Sequence, residues 1–403
     1  MAVVVRSKTI LTNADPVSQN GVTFDALGAI RDGAIAVEEG RVAWTGPIDH
    51  LPQRFRDATL HEYNECAIVP GFVDAHAHPL FAGNREPDFA ARLRGERAPL
   101  GMLYTVAQTR RALERPQSFW KLVELRLRTI AAHGTTTLET KTGYALHKPG
   151  EMDLLSLIDA HRDEASMPRL IATFLGAHAV PPEFPNETDY VDYVIDQCMP
   201  LAKAHGAVYA DAFCEPGFFS PEQTRRYLES ARAHGLRLRV HCDEMAYGAA
   251  AAMATQLGVD AVDHCNCIRD EDVQAIAGGG IVTVACPATI AYLDLPQRAP
   301  VRALLERGGA VALASDYNPG TSPCFNLQTV AYFGRKLFGL SAAEALYGVT
   351  IAAARSLHAD AGTLRTGSPA DFVALQLESP DEFGWQFGGN LAAAVYRKGA
   401  LLQ

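Results

Sequence analysis

Along the middle of the chain, polar helix-forming stretches end at a glycine and give way to short runs of β-branched and small apolar residues. "AAHGTTTLET" stands at 131–140, "KAHGAVYADAF" at 203–213 and "RAHGLRLRVHCDE" at 232–244. "QLGVDAVDHC" follows at 256–265, "GGGIVTVACPA" at 278–288 and "RGGAVALASDYNPG" at 307–320. Gly206, Gly235, Gly258, Gly280 and Gly309 recur every 22 to 29 residues. A glycine just past a helix end supplies a left-handed cap. The apolar run after each reads as a strand buried on both faces, as in parallel sheets. Helix and strand alternating over so many units predicts an α/β fold, a (β/α)8 TIM-like barrel, over 67–358.

The ends differ. "GAIRDGAIAVEEGRVAWTG" lies within 19–60, and "GTLRTGSPADFVALQLE" and "AAVYRKGALLQ" lie within 362–403. These are short strands between glycine turns, too few at either end to enclose a core. Residues 1–66 and 359–403 together predict one small β-sandwich outside the barrel.

Composition narrows the function classes. The 403 residues are 48% hydrophobic and 20% charged, which suits a large folded core. Formal net charge is -10 with no basic stripe, so nucleic acid and anionic membranes are not expected partners. No apolar run reaches the roughly 20 residues of a spanning helix. "MAVVVRSKTILTN" lacks a secretory signal pattern, and a cytoplasmic protein is expected. The eight cysteines include no CxxC. "CNC" at 265–267 reads as strand-end packing, and reduced thiols are expected.

Active sites of such barrels lie at the C-terminal ends of the strands. "GFVDAHAHPL" at 71–80 ends the first strand with His76 and His78. Period-two alternation puts them on one face, with Asp74 beside them. Two imidazoles aimed at one point suit a shared metal ion, although two solvent-facing strand histidines would read the same way. The second strand ends with Glu139, Lys141 and Tyr144, the third with His178, and the fourth with Asp211 and Glu215. The fifth ends with His241 and Glu244, the sixth with His264, the eighth with Asp316, and the seventh with nothing ionisable. His133, His205 and His234 each precede a capping glycine, where the helix dipole accounts for them. Apart from His147 and His161, the other barrel histidines all sit at strand ends. One metal held by His76, His78, His241 and Asp316 would have N and O donors with room for a water, the pattern of catalytic zinc.

This arrangement resembles the amidohydrolase superfamily and, within it, the imidazolonepropionase family. The stretches that carry the resemblance are "PGFVDAHAHPLFAGNRE", "TTLETKTGYAL", "FLGAHAVPPE", "DAFCE", "VHCDE" and "ASDYNPGTSP". It implies one Zn²⁺ or Fe ion on His76, His78, His241 and Asp316. Hydroxide made available by that ion near neutral pH would attack the ring carbonyl of 4-imidazolone-5-propanoate. The cyclic amide C–N bond would open to give N-formimidoyl-L-glutamate, a step of histidine degradation. Asp316 and His264 would handle the proton, with either as general base. Glu244 would hydrogen-bond a ring nitrogen. Arg85 would pair with the propionate carboxylate. Tyr144 would position the substrate, and His178 would contact the ring carbonyl. Asn318, Gly320 and Thr321 would contact substrate or product. A homodimer is implied by family analogy.

Plainer readings stand beside these. Arg85 in "GNREPDF" could pair with Glu86 or Asp88, Tyr144 could be packing, and Glu139, Lys141 and Glu215 could be structural. Binuclear relatives use a bridging lysine or carboxylate, which the resemblance implies is absent here. His147 reads as a loop or helix-start surface residue. The chain departs from the family at "ERAPLGMLYTVAQTRRA", which is shortened and lacks a triple glycine. Tyr104 is the aromatic available there to replace a substrate-side one. The alternatives are another mononuclear amidohydrolase or deaminase acting on a heterocyclic ring, or a catalytically inactive barrel scaffold.

Overall fold

The computed structural model describes residues 2–14 and 17–402. Met1, Asp15, Pro16 and Gln403, all within the expected sandwich segments, lie outside the described residues. The chain opens with β1 (Val3–Leu11), β2 (Ala29–Glu38), β3 (Arg41–Pro47) and β4 (Thr59–Pro70). Eight further strands follow: β5 (Phe72–Asp74), β6 (Thr135–Lys141), β7 (Arg169–Ala177), β8 (Tyr209–Cys214), β9 (Arg237–Cys242), β10 (Ala261–His264), β11 (Val282–Ala285) and β12 (Ala310–Leu313). It closes with β13 (Phe372–Leu375), β14 (Ala392–Arg397) and β15 (Ala400–Leu401).

β5 to β12 pair in sequence order, parallel throughout, as the barrel. Helices cover it by burying one apolar stripe. The helix Pro116–Ala132 turns Phe119, Trp120, Val123, Leu127 and Ile130 inward. Each such side chain contributes about 1.5–3 kcal/mol on burial. The other strands form one seven-stranded sheet from both chain ends, in the order β15-β14-β13-β4-β1-β2-β3. Its hydrophobic interior includes Val5, Ile35, Ile68, Phe372 and Tyr396. Among the described residues no helix is long and apolar enough to cross a membrane.

The apolar run "AIVPGFV" at 67–73, which the expected boundary at 67 puts wholly in the barrel, is divided between two strands. Ala67 and Ile68 pair with β1 and β13 in the terminal sheet, and only Phe72–Asp74 belongs to the barrel. Gly71 is the pivot: its N–H donates to Asp371, and a Cβ there would lie 2.2 Å from Thr136 Oγ1. His76 and His78 therefore lie beyond the end of β5 rather than on it. Their segment closes the barrel. Asp316 N–H donates to the His76 carbonyl (2.8 Å), and His78 N–H donates to the Tyr317 carbonyl (2.9 Å). Asp74 Oδ1 accepts from Ser315 N–H at 3.0 Å. Asp74 thus fastens the seam instead of joining the histidines.

The glycine caps are largely as read. Gly206, Gly235, Gly258 and Gly280 have φ of 96°, 76°, 66° and 67°. In the last case the left-handed residue is Gly308 (φ 80°), not Gly309. Gly309 is needed for close approach, since its Cβ would sit 3.0 Å from the Leu304 carbonyl oxygen. His133 and His234 donate through Nδ1 to the carbonyls of Thr129 and Ser230 in their own last turns. His205 bonds Ser156 instead. His147 caps the helix Lys148–Ala160, its Nδ1 accepting from Gly150 N–H, and His161 stacks on Trp120. All eight cysteines are free.

Candidate active site

The strand ends bring His76, His78, His241, His264, Glu244 and Asp316 to one buried point. His76 Nε2 and His78 Nε2 are 3.2 Å apart, and each lies 3.4 Å from Asp316 Oδ1. His76, His78 and His241 each offer a nitrogen within 4.8 Å of the other two.

The donor set can be tested against a cation. His76 Nδ1 lies 2.7 Å from Asp263 Oδ2, and a carboxylate only accepts, so Nδ1 carries the proton. Neutral His76 then presents a bare lone pair at Nε2. That lone pair faces a carboxylate oxygen and a second imidazole nitrogen. Such a cluster is repulsive unless a positive charge stands among its members. Four donors bonded tetrahedrally at about 2.0–2.1 Å stand roughly 3.3 Å from one another. The separations of 3.2 and 3.4 Å among His76, His78 and Asp316 match that spacing, and His241 offers a nitrogen within 4.8 Å of both histidines, so the residues fit a divalent metal ion.

Electrostatics agree. Burial pushes His76 down to about 3 and His78 down to about 4, so both stand as neutral donors. Burial would raise Asp316, but the surrounding His76, His78 and His264 side chains outweigh it and hold the carboxyl well below its ordinary range. At His241 burial is outweighed by Asp211, whose Oδ2 lies 3.0 Å from Nδ1, and the imidazole is raised. A proton must therefore leave His241 before its other nitrogen can bind a cation. Metal affinity is expected to weaken as pH falls, beginning at a higher pH than an ordinary histidine would dictate. Chelator-competition titrations at stepped pH check this, and a flat profile from pH 8 to 5.5 would contradict it.

Of the supports around the cluster, Thr289 is not visible in the sequence, while Glu215, Glu139 and Lys141 stand there as candidate structural residues. The seventh strand end, with nothing ionisable, supplies Thr289, whose hydroxyl donates to Asp316 Oδ2 at 2.8 Å and fixes which oxygen faces the histidines. Glu215 accepts the N–H groups of Glu244, Met245 and Ala246, holding the loop that carries Glu244. Glu139 and Lys141 are fully buried in an ionic network with Asp211, Asp263 and Arg239 below the histidines. His264 and Asp316 have φ of 68° and 50°, left-handed conformations that cost of order 1–3 kcal/mol each at a non-glycine residue and cluster at functional sites.

A cleft of ≈ 190 Å³ opens above the cluster. Arg85, Tyr144, His178, Asn318 and Thr321 line it, as do Met102, Phe213, Phe218 and Met245, which the sequence did not single out. Tyr104 does not line it; Met102, two residues earlier, takes that wall, while Tyr104 packs beside Gly83. Arg85 makes the loop ion pair and also faces the cleft. Its Nε donates to Asp88 Oδ2 at 2.6 Å, while no described residue accepts from its two terminal nitrogens. Asp88 also accepts from the N–H groups of Leu100 and Gly101, so Arg85 and the Met102 segment share one anchor. Gly320 stands behind the guanidinium, where a Cβ would come within 2.1 Å of Nη1, and is not part of the lining. Asn318 spends its amide on its own loop, donating to the Asp316 carbonyl and accepting from the N–H groups of Gly320 and Thr321. His178 Nδ1 donates to the Gly143 carbonyl at 3.0 Å. Burial lowers its basicity, so the neutral ring keeps Nε2 as an acceptor.

Residues 67–400 match the family model described as "Amidohydrolase family". Imidazolonepropionase of Cupriavidus metallidurans is 38% identical over 389 residues, covering 94% of this chain and 93% of that protein. Imidazolonepropionase of Ralstonia nicotianae is 38% identical over 386 residues, covering 93% and 94%. The chain belongs to the imidazolonepropionases of the amidohydrolase family. Solved structures show the same amidohydrolase fold at much lower identity. Guanine deaminase of E. coli superposes with a TM-score of 0.76 at 19% identity, covering 100% of this chain and 99% of that one. An adenosine deaminase from Xanthomonas campestris with bound zinc gives 0.72 at 17% identity, covering 99% and 92%.

Proposed function

We propose that this enzyme hydrolyses the cyclic amide C–N bond of 4-imidazolone-5-propanoate, giving N-formimidoyl-L-glutamate in histidine degradation. The observation that carries the reading is one cleft holding both a cation-shaped N/O cluster and an arginine with its terminal nitrogens unspent. Imidazolonepropionases alike over nearly the whole chain support it.

His76, His78, His241 and Asp316 would hold the metal, one Zn²⁺ or Fe ion per chain, which when bound brings a water molecule's acidity near neutrality. The chain supplies the rest. Asp316, steadied at Oδ2 by Thr289, and His264 would take the proton from the attacking water and pass it to the departing ring nitrogen. Glu244 is raised by burial in spite of His264, its Oε1 3.7 Å from His264 Nδ1. A carboxyl so raised can share a proton with a ring nitrogen. Tyr144 and Thr321 bound the substrate, with Asn318 and Gly320 shaping the loop around it. His178, with Nε2 an acceptor, suits a ring N–H better than the ring carbonyl. The enzyme is taken as cytoplasmic, acting on a small anionic heterocycle, with a homodimer as its assembly.

The direct test follows the ring absorbance of freshly generated 4-imidazolone-5-propanoate alongside ammonia release from neutral amino-heterocycles. Consumption of the former is expected; ammonia release with the imidazolone untouched would replace this reading with a deaminase.

Arg85 gives a second check. A guanidinium can pair two parallel N–H groups with a carboxylate, and each charge-assisted hydrogen bond is worth roughly 1.5–3 kcal/mol. Arg85→Met is expected to lower kcat/KM about 10-fold or more, with metal content unchanged. The loss should shrink for an analogue without the propionate carboxylate. Equal losses on both compounds would make Arg85 structural.

A further inference from the structure

Below the histidines, two buried cations meet three buried carboxylates: Lys141 and Arg239 against Glu139, Asp211 and Asp263. All five side chains have no exposed surface. Lys141 Nζ donates to Asp211 Oδ2 at 2.7 Å, to Glu139 Oε1 at 2.7 Å and to Asp263 Oδ2 at 3.3 Å. The same oxygens face the imidazoles. Asp211 Oδ2 lies 3.0 Å from His241 Nδ1, and Asp263 Oδ2 lies 2.7 Å from His76 Nδ1. Among the described residues Lys141 is the one side-chain cation that reaches both carboxylates; Arg239 reaches Asp263 but is not paired with Asp211.

We infer that Lys141 is a positioning residue for the metal centre, a single ammonium that fixes His76 and His241 together, each through its own aspartate. The inference rests on the metal-centre reading above. A histidine ligand binds well when its other nitrogen is held by a carboxylate, because the ring is then fixed in tautomer and direction. Here the two carboxylates are themselves held by one group from the second strand. The ligands from the first and fifth strands are thereby set against each other before any metal arrives. Lys141 cannot at the same time serve as a bridging ligand, because its ammonium protons are committed to three carboxylates.

The test uses Co²⁺ binding to the metal-stripped full chain, read by visible absorption and by competition with a chelator. Lys141→Met combined with Glu139→Gln leaves the buried charge unchanged and removes the shared tie. Apo-protein circular dichroism and melting temperature report the fold separately. Removing an interaction that orients a ligand typically costs 10–100-fold in metal affinity. The double variant is expected to reach about 100-fold, since two ligands loosen together. Should it not fold, Asp211→Asn carries the test: it frees His241 alone and should cost about 10-fold. A folded double variant that binds Co²⁺ as tightly as wild type overturns the inference, and so does an unshifted Asp211→Asn. If wild type itself binds no Co²⁺, the metal-centre reading fails and this assignment with it. Failure of the imidazolone assay alone would leave the Co²⁺ result standing as a test of Lys141.

Discussion

His241→Ala is expected to abolish both metal retention and turnover. In the proposed metal centre His241 is the ligand from the fifth barrel strand, and its removal takes one of four donors from the cluster. It also takes from Asp211 one of the two partners, His241 and Lys141, that hold it ionised in spite of burial. A Lewis-acidic ion contributes several kcal/mol to such a transition state, and 4 kcal/mol corresponds to about 10³-fold. The variant should therefore lose about 10³-fold or more in kcat/KM and elute from dialysis with substoichiometric metal. Metal should raise the melting temperature of wild type and not of the variant, because a ligand bound only by the native state stabilises it by mass action. Retained stoichiometric metal with slow turnover would move His241 from metal ligand to substrate contact.

His264→Asn should show the opposite division: metal kept, rate lost. His264 follows the sixth strand with φ at 68°, a conformation that asparagine tolerates better than most residues. The substitution thus adds little backbone strain. Its ring stands 5.1 Å from that of His76, as near as the His78 ring, and 5.3 Å from that of His241, and its nitrogen also groups with Glu244 and Asp316. Losing one acid-base group costs typically about 10²–10⁴-fold. A fall of that size in kcat, with metal content at wild-type level by atomic absorption, fits a proton carrier. Loss of metal on this substitution would instead place His264 among the ligands.

What the sequence made legible follows from what strand ends can carry. His76, His78, His241, His264 and Asp316 were readable because each stands at or just past a strand, and barrel geometry converts that position into convergence. The supports were less legible because hydrogen-bonding partners do not announce each other along a chain. Thr289 looks like any threonine after a strand, and only the fold places its hydroxyl on Asp316. A signal for the ionic base did exist. "LETK", "YAD", "LRLRVH" and "AVDH" carry charges inside otherwise apolar strands, at spacings of two that put Glu139 with Lys141, and Arg239 with His241, on one face. Charges there must pair, since leaving them unpaired in the interior is costly. The cleft walls Met102, Phe213, Phe218 and Met245 were invisible for the converse reason: apolar residues fit a core equally well. The misread first strand shows a limit of periodicity, because "AIVPGFV" is continuous in hydrophobicity while Gly71 divides it between two sheets.

Every role proposed for the site depends on metal-dependent opening of an anionic imidazolone ring. The measurement that tests it most directly follows 4-imidazolone-5-propanoate and N-formimidoyl-L-glutamate together, with the chain metal-loaded, stripped by chelator, and reloaded with Zn²⁺ or Fe²⁺. Stoichiometric conversion by the loaded protein, none by the stripped protein, and recovery on reloading are expected. Full turnover by the stripped protein, or no conversion by the loaded one, would contradict it.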